Sequence, residues 1–203
     1  MRKEKEMRRQ SRCAIVLIAL LAIPPLLGFA QTPSGADVEI EDRLVRFAAK
    51  MRLCLSITSL AIYAPSIGDL HLHAQQVVNL LEGSEGRHYV RPAGSEEEVV
   101  GLRREVTHLA TWLEETQVGE DVRPRLAAAT KNVNAYLEMA LDATLAALSQ
   151  RRIPAASTEL LRTYAFLCAA YEIPSDLPYV PGLSTILRWV GVVEWKAESE
   201  PGT

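Results

Sequence analysis

The sequence predicts an all-α protein, an up-down bundle of four to five main helices followed by a short C-terminal helix. Three observations predict it. Apolar residues recur at three- and four-residue spacing through most of the chain after residue 37. No stretch alternates at period two over a useful length. The longest regular stretch, Asp121 to Gln150, makes one rod of about 45 Å at 1.5 Å per residue. Its stripe is Val122, Leu126, Ala129, Val133, Tyr136, Leu137, Ala140, Thr144, Ala147 and Leu148, while Arg123, Arg125, Lys131, Asn132, Asn134, Glu138 and Asp142 lie away from it. A lone helix of this kind is marginal in water, so other helices must cover the stripe.

The N-terminus carries a different signal. Arg2 to Arg12 is basic, and Ala14 to Leu27 is apolar but interrupted by Pro24-Pro25. Gly28-Phe29-Ala30 then places small residues at the −3 and −1 positions of a cleavage site before Gln31. The apolar run is shorter than the ~20 residues of a spanning helix. Residues 1–30 are therefore expected to be a signal peptide, which makes the protein periplasmic or secreted, with no stable membrane insertion after cleavage. The competing reading is an uncleaved anchor. Net charge is −3 over 203 residues; residues 1–30 hold six of the 22 basic and two of the 25 acidic residues. The remainder has 16 basic against 23 acidic residues, near −7. That balance argues against nucleic acid, which requires a clustered basic footprint.

Residues 31–36 (QTPSGA) read as a mobile linker, residues 37–195 as the helical-bundle domain and residues 196–203 as a polar tail. The first helix shows Ile40, Leu44, Phe47, Met51, Leu55, Thr58 and Ile62 on one side. Past Lys50 the other side turns apolar as well, with Leu53, Ile57 and Leu60, so its second half is expected to be covered on both sides. Pro65 ends it. Ser66 and Asp69 form an acidic capping box for the second helix, whose line is Leu70, Ala74, Val77 and Leu81, and Gly83 stops it. Gly83 to Gly94 reads as a loop. Ser95 to Glu98 is a second capping box, expected to open a helix through Val99, Leu102, Val106, Leu109 and Leu113. After the long helix, Pro154 breaks the chain and Ser157 is expected to cap a fifth helix, apolar nearly all round and hence buried. A proline-punctuated passage from Ile173 to Gly182 precedes a last segment, Leu183 to Val193, expected to dock as a short helix.

Few residues carry chemistry. Cys54 and Cys168 lie on or beside apolar helix sides and in an oxidising compartment can pair, joining the first and fifth helices; the alternative is two free thiols in the core. His71 and His73 stand two apart on a helix, about 200° around it, so they cannot share one metal ion. His73 falls in the apolar arc, where it is expected to be a hydrogen-bonded core histidine. The other use for it is as a haem or metal ligand, with Met51 as a second inward group. Glu105-Val-Thr-His108 matches one half of a di-iron motif, but no second copy exists, which leaves an exposed pair. Arg87, His88, Tyr89 and Arg91 form a basic and aromatic cluster in a loop, either a binding loop or a solvated connection. No nucleophile elbow, phosphate-binding loop, zinc-protease or dinucleotide motif occurs. No enzyme is indicated.

The helix His73-Ala-Gln-Gln-Val-Val-Asn-Leu-Leu-Glu-Gly83 resembles the His-Ala-x-x-Val-Val-Asn-x-x-x-Gly helix of exported bacterial helical-bundle proteins with no assigned activity. A second histidine often stands in that pattern where this chain has Gln76, and an Asp/Gly-rich loop often follows. The resemblance implies an exported α bundle. The sequence thus favours a non-catalytic binding or interaction module whose partner is a small molecule or an envelope protein. A bundle holding haem or a metal through His73 is the alternative.

Overall fold

One long helix sets the frame, and its neighbours are arranged along it. The computed structural model describes residues 35–94, 98–115, 120, 122–171 and 182–190. In order the helices are α1 (Gly35–Ile62), α2 (Ile67–Glu82), α3 (Leu102–Glu115), α4 (Arg123–Ser149), α5 (Ile153–Tyr171) and α6 (Leu183–Val190). Among the described residues there is no strand, only an isolated antiparallel bridge between Gly83 and Val100. No described helix is long and apolar enough to cross a membrane. The signal segment, residues 31–34, the passage 173–181 and the tail 196–203 lie outside the described residues.

Helix α4 packs against α2, α3, α5 and α6. Leu126, Ala129, Val133, Leu137, Ala140, Thr144 and Ala147 of the expected stripe are all buried. Thr130, Leu141 and Ala143 are buried too, so the arc is wider than a two-helix seam because several neighbours share it. Alanine at Ala129, Ala140, Ala143 and Ala147 lets adjacent backbones come close. The buried hydroxyls are satisfied: Thr144 donates to the carbonyl of Ala140 at 2.7 Å and lies 3.1 Å from the hydroxyl of Thr163 on α5.

The two short helices α2 and α3 lie in series along α4. Ser66 caps α2 as the sequence predicts, its Oγ accepting the Asp69 N–H at 3.1 Å. His71 Nε2 donates to the Gln150 carbonyl at 3.0 Å, which fixes the start of α2 beside the C-terminal end of α4. Arg103 meets Glu138 at 3.1 Å, so α3 begins near the middle of α4. Residues 83–94 and 98–101 form the described part of the joint.

Three expectations are corrected. Helix α3 begins at Leu102, not before Val99, because Val99 pairs in extended form with Ser84: the Ser84 N–H donates to the Val99 carbonyl at 2.8 Å and the Val99 N–H to Ser84 Oγ at 2.7 Å. Helix α5 begins at Ile153, with Pro154 inside its first turn, where a missing N–H costs nothing. Ser157 is therefore within the helix, its hydroxyl 3.5 Å from the Ile62 carbonyl. Finally, neither α1 nor α5 is covered all round. In α1 the side of Ile40, Leu44, Phe47, Met51, Cys54, Thr58 and Ala61 is buried, but Leu53 is 50% and Leu60 57% exposed. In α5 the line Ala156, Leu160, Thr163, Leu167, Ala170 is buried while Leu161 is 56% exposed. With α2 and α3 laid end to end on one flank of α4, neither is left to cover a second face of α1.

Candidate functional site

The joint between α2 and α3 is built from three polar residues on one line of α2. Gln75, Asn79 and Glu82 recur at four- and three-residue spacing, so they share a face. Asn79 holds Val90 with both ends of its amide: Nδ2 donates to the Val90 carbonyl at 2.6 Å, and Oδ1 accepts the Val90 N–H at 3.0 Å. Gln75 Nε2 donates to Asn79 Oδ1 at 3.1 Å and to the His88 carbonyl at 2.9 Å. The nearly buried Glu82 carboxylate accepts the His88 N–H at 2.7 Å and its ring Nδ1–H at 2.8 Å. At the base of the loop, Gly83 has φ 75° and ψ −178°, a region open essentially to glycine alone. A Cβ there would stand 2.3 Å from the Gly101 nitrogen. Lys50 of α1 closes the same end, donating to the Val100 carbonyl at 2.8 Å and pairing with Glu105.

Beyond the joint, a cleft of about 420 Å³ lies between α3 and α4, within the ~300–1,000 Å³ span of small-molecule sites. Val106, Ala110 and Leu113 line it from α3 and Ala127 from α4, with Thr107, Thr130, Asn134, Glu114, Arg123 and Lys131 completing the walls. Small residues make the space: Ala110 and Ala127 leave room that larger side chains would fill. The threonine hydroxyls are turned back on their own helices, Thr107 to the Arg103 carbonyl at 3.2 Å and Thr130 to the Leu126 carbonyl at 2.9 Å. Asn134 Nδ2 donates to Glu138 at 3.3 Å, the carboxylate that also pairs with Arg103. The lining is thus largely apolar, with the Lys131 ammonium on its wall free of any ion pair among the described residues.

The residues singled out in the sequence fall elsewhere. His73 is not a core histidine: it is half-buried, its Nδ1 3.1 Å from Gln76 Oε1 on the same helix. The buried positions Ala74, Val77, Val78 and Leu81 centre the arc so that His71 and His73 stand on its opposite borders, and His71 makes the interhelical bond. Met51 is wholly buried in the main core, whereas His73 is only half-buried. Among the described residues no group of three or more His, Cys, Asp and Glu is placed to hold a metal ion. Cys54 and Cys168 are free thiols, the second of the two arrangements the sequence allows. Cys54 faces the core, where burial pushes its pKa up to about 12. Cys168 lies off the buried line of α5; its pKa is raised by burial and lowered in part by a hydrogen bond with Tyr164. Glu105 pairs with Lys50 while His108 is exposed. In the loop, His88 is held by Glu82, Tyr89 is half-buried, and Arg87 and Arg91 are exposed. The loop is therefore neither free-standing nor loosely solvated.

Sequence reading did not find the cleft. Its signal was present in Ala110 and Ala127, small residues on adjoining helices, but which small residues face each other depends on the pairing of α3 with α4. Neither a family model, nor a curated protein, nor a solved structure matches the chain.

Proposed function

We propose that this protein is an exported, non-catalytic binding module that holds a small ligand with an apolar body in the cleft between α3 and α4. The observation that carries this reading is the cleft itself, an apolar recess of about 420 Å³ bounded by two helices. Lys131 on its wall favours a ligand with an anionic end. The basic stretch, apolar run and Gly28-Phe29-Ala30 at the N-terminus support export, as does the resemblance of the His73–Gly83 helix. The sequence offers no catalytic motif.

The test is a fluorescence titration of the protein with anilinonaphthalene sulfonate, an apolar dye bearing one negative charge. One saturable site is expected. Ala110→Trp and Ala127→Trp fill the recess and weaken binding by about tenfold or more, a change of at least ~1.4 kcal/mol, at unchanged melting temperature. Lys131→Glu weakens it less. Binding unaffected by both tryptophan variants would defeat the assignment.

A further inference from the structure

Two opposite charges on the walls of the cleft are left unmatched within the protein. Helices α3 and α4 run antiparallel, since Arg103 near the start of α3 meets Glu138 while Glu114 near its end shares the cleft with Arg123. Counted from the Arg103–Glu138 pair at the same rise on both helices, Thr107 stands level with Asn134, Ala110 with Lys131 and Glu114 with Ala127. All six line the cleft. Lys131 is therefore set against the methyl group of Ala110. Glu114 is set against that of Ala127, four residues or about 6 Å further along the groove. At the Asn134 end the polar groups answer one another: Thr107 donates to the Arg103 carbonyl, and Asn134 and Arg103 both donate to Glu138. One turn on, neither Lys131 nor Glu114 has an ion pair among the described residues, with each other or with any other group. Arg123, the third charged residue of the lining, has an interaction of its own.

We infer that the ligand of this cleft is a zwitterion, a short apolar peptide with free ends, whose carboxylate meets Lys131 and whose ammonium meets Glu114. The inference rests on the reading of the cleft as a ligand site and specifies the ligand's class. Charge complementarity selects this occupant. A ligand with an anionic group alone leaves Glu114 unmatched beside its apolar body, and one with a cationic group alone leaves Lys131 so. Spacing selects the size. An extended dipeptide sets its ends about 7 Å apart, close to the stagger of the two walls, whereas a single amino acid carries both charges on one residue. Between the charges, Ala110, Leu113 and Ala127 supply an apolar bed for the peptide's side chains. Lys131 and Glu114 are both exposed, so each contact changes affinity by a few-fold rather than by orders of magnitude.

The experiment is calorimetric titration of the full chain with three peptides: leucyl-leucine, its N-acetyl form without the ammonium, and its amide without the carboxylate. The dye titration is run beside it. The wild type should bind each capped peptide about fivefold more weakly than the free dipeptide. Glu114→Gln should cost the free dipeptide about fivefold, but the N-acetyl form and the dye less than about twofold. Lys131→Gln should do the converse, sparing the amide. Exchanging the two, Lys131→Glu with Glu114→Lys, should restore the free dipeptide, bound end for end, where either change alone weakens it. Melting temperatures should stay unchanged throughout, because both side chains are exposed. Equal affinity for the three peptides, no binding of leucyl-leucine, or a dipeptide indifferent to Ala110→Trp overturns the inference. If the dye still binds and is weakened by Ala110→Trp, the cleft remains a ligand site and only the zwitterion is lost. If the dye fails as well, the reading of the cleft falls with it.

Discussion

The two ends of helix α2 are held by opposite means. At its start, Ala61 of α1, Ala64 of the turn that follows it, Leu70 and Ala74 of α2, Ala147 of α4, and Ala156 and Leu160 of α5 form a separate small core. The turns there are short, and five of those seven side chains are single methyl groups. At its other end the described loop residues, 83–94 and 98–101, leave Val90 and Val100 exposed. That loop has little apolar surface to bury, so it is held by directional bonds from Gln75, Asn79 and Glu82. Each such bond contributes only about 1 kcal/mol net, yet together they tie His88 and Val90 to the face of α2. Short connections can be held by close packing of small residues; a long one without an apolar anchor needs its polar groups matched one by one.

The difference can be broken in graded steps. Gly83→Ala should have the largest effect, about 3 kcal/mol or more, because it combines a disallowed backbone region with backbone collisions at Gly101 and Val99. Chemical denaturation measures it, and a loss under 1 kcal/mol would mean that the two segments can part. At the alanine end, Ala147→Leu forces extra methylenes into a filled space and should cost about 1–3 kcal/mol. A neutral or stabilising result there would mean that the end is loosely packed. Asn79→Ala should cost about 1–3 kcal/mol as well, but with a local signature. The Val90 amide should lose its hydrogen-exchange protection while Ala74 and Ala147 keep theirs. Uniform loss of protection would show that the loop and the helices unfold as one unit. The smallest contrast is between the two histidines. His71→Ala removes the bond to the Gln150 carbonyl and should lower stability by about 1 kcal/mol, whereas His73→Ala should change it by less than about 0.5 kcal/mol. The reverse order would restore His73 as the structurally important one.

Helical periodicity made most of the bundle legible. The stripe of α4, the Ser66 cap, the stop at Gly83 and the docked helix at Leu183 follow from spacing and capping chemistry, which act within a few residues. What escaped the sequence depends on distant partners. Val99 reads as the first apolar residue of a helix, and only its pairing with Ser84 makes it extended. The apolar residues Leu53 and Leu60 imply cover, but the pattern does not say whether the cover comes from the same chain. His73 and His71 differ by less than a quarter turn in their distance from the buried arc, too little for periodicity to decide which reaches another helix. The cleft is the hardest case, since it arises from what Ala110 and Ala127 do not fill.

The central claim is that the space between α3 and α4 holds a ligand, and native mass spectrometry of protein purified without denaturant from an exporting host tests it most directly. A non-covalent small-molecule adduct is predicted on the wild type, absent from Ala110→Trp and retained by Leu53→Glu. An adduct that survives Ala110→Trp, or a wild type that neither carries nor takes up an apolar anion, would contradict the account.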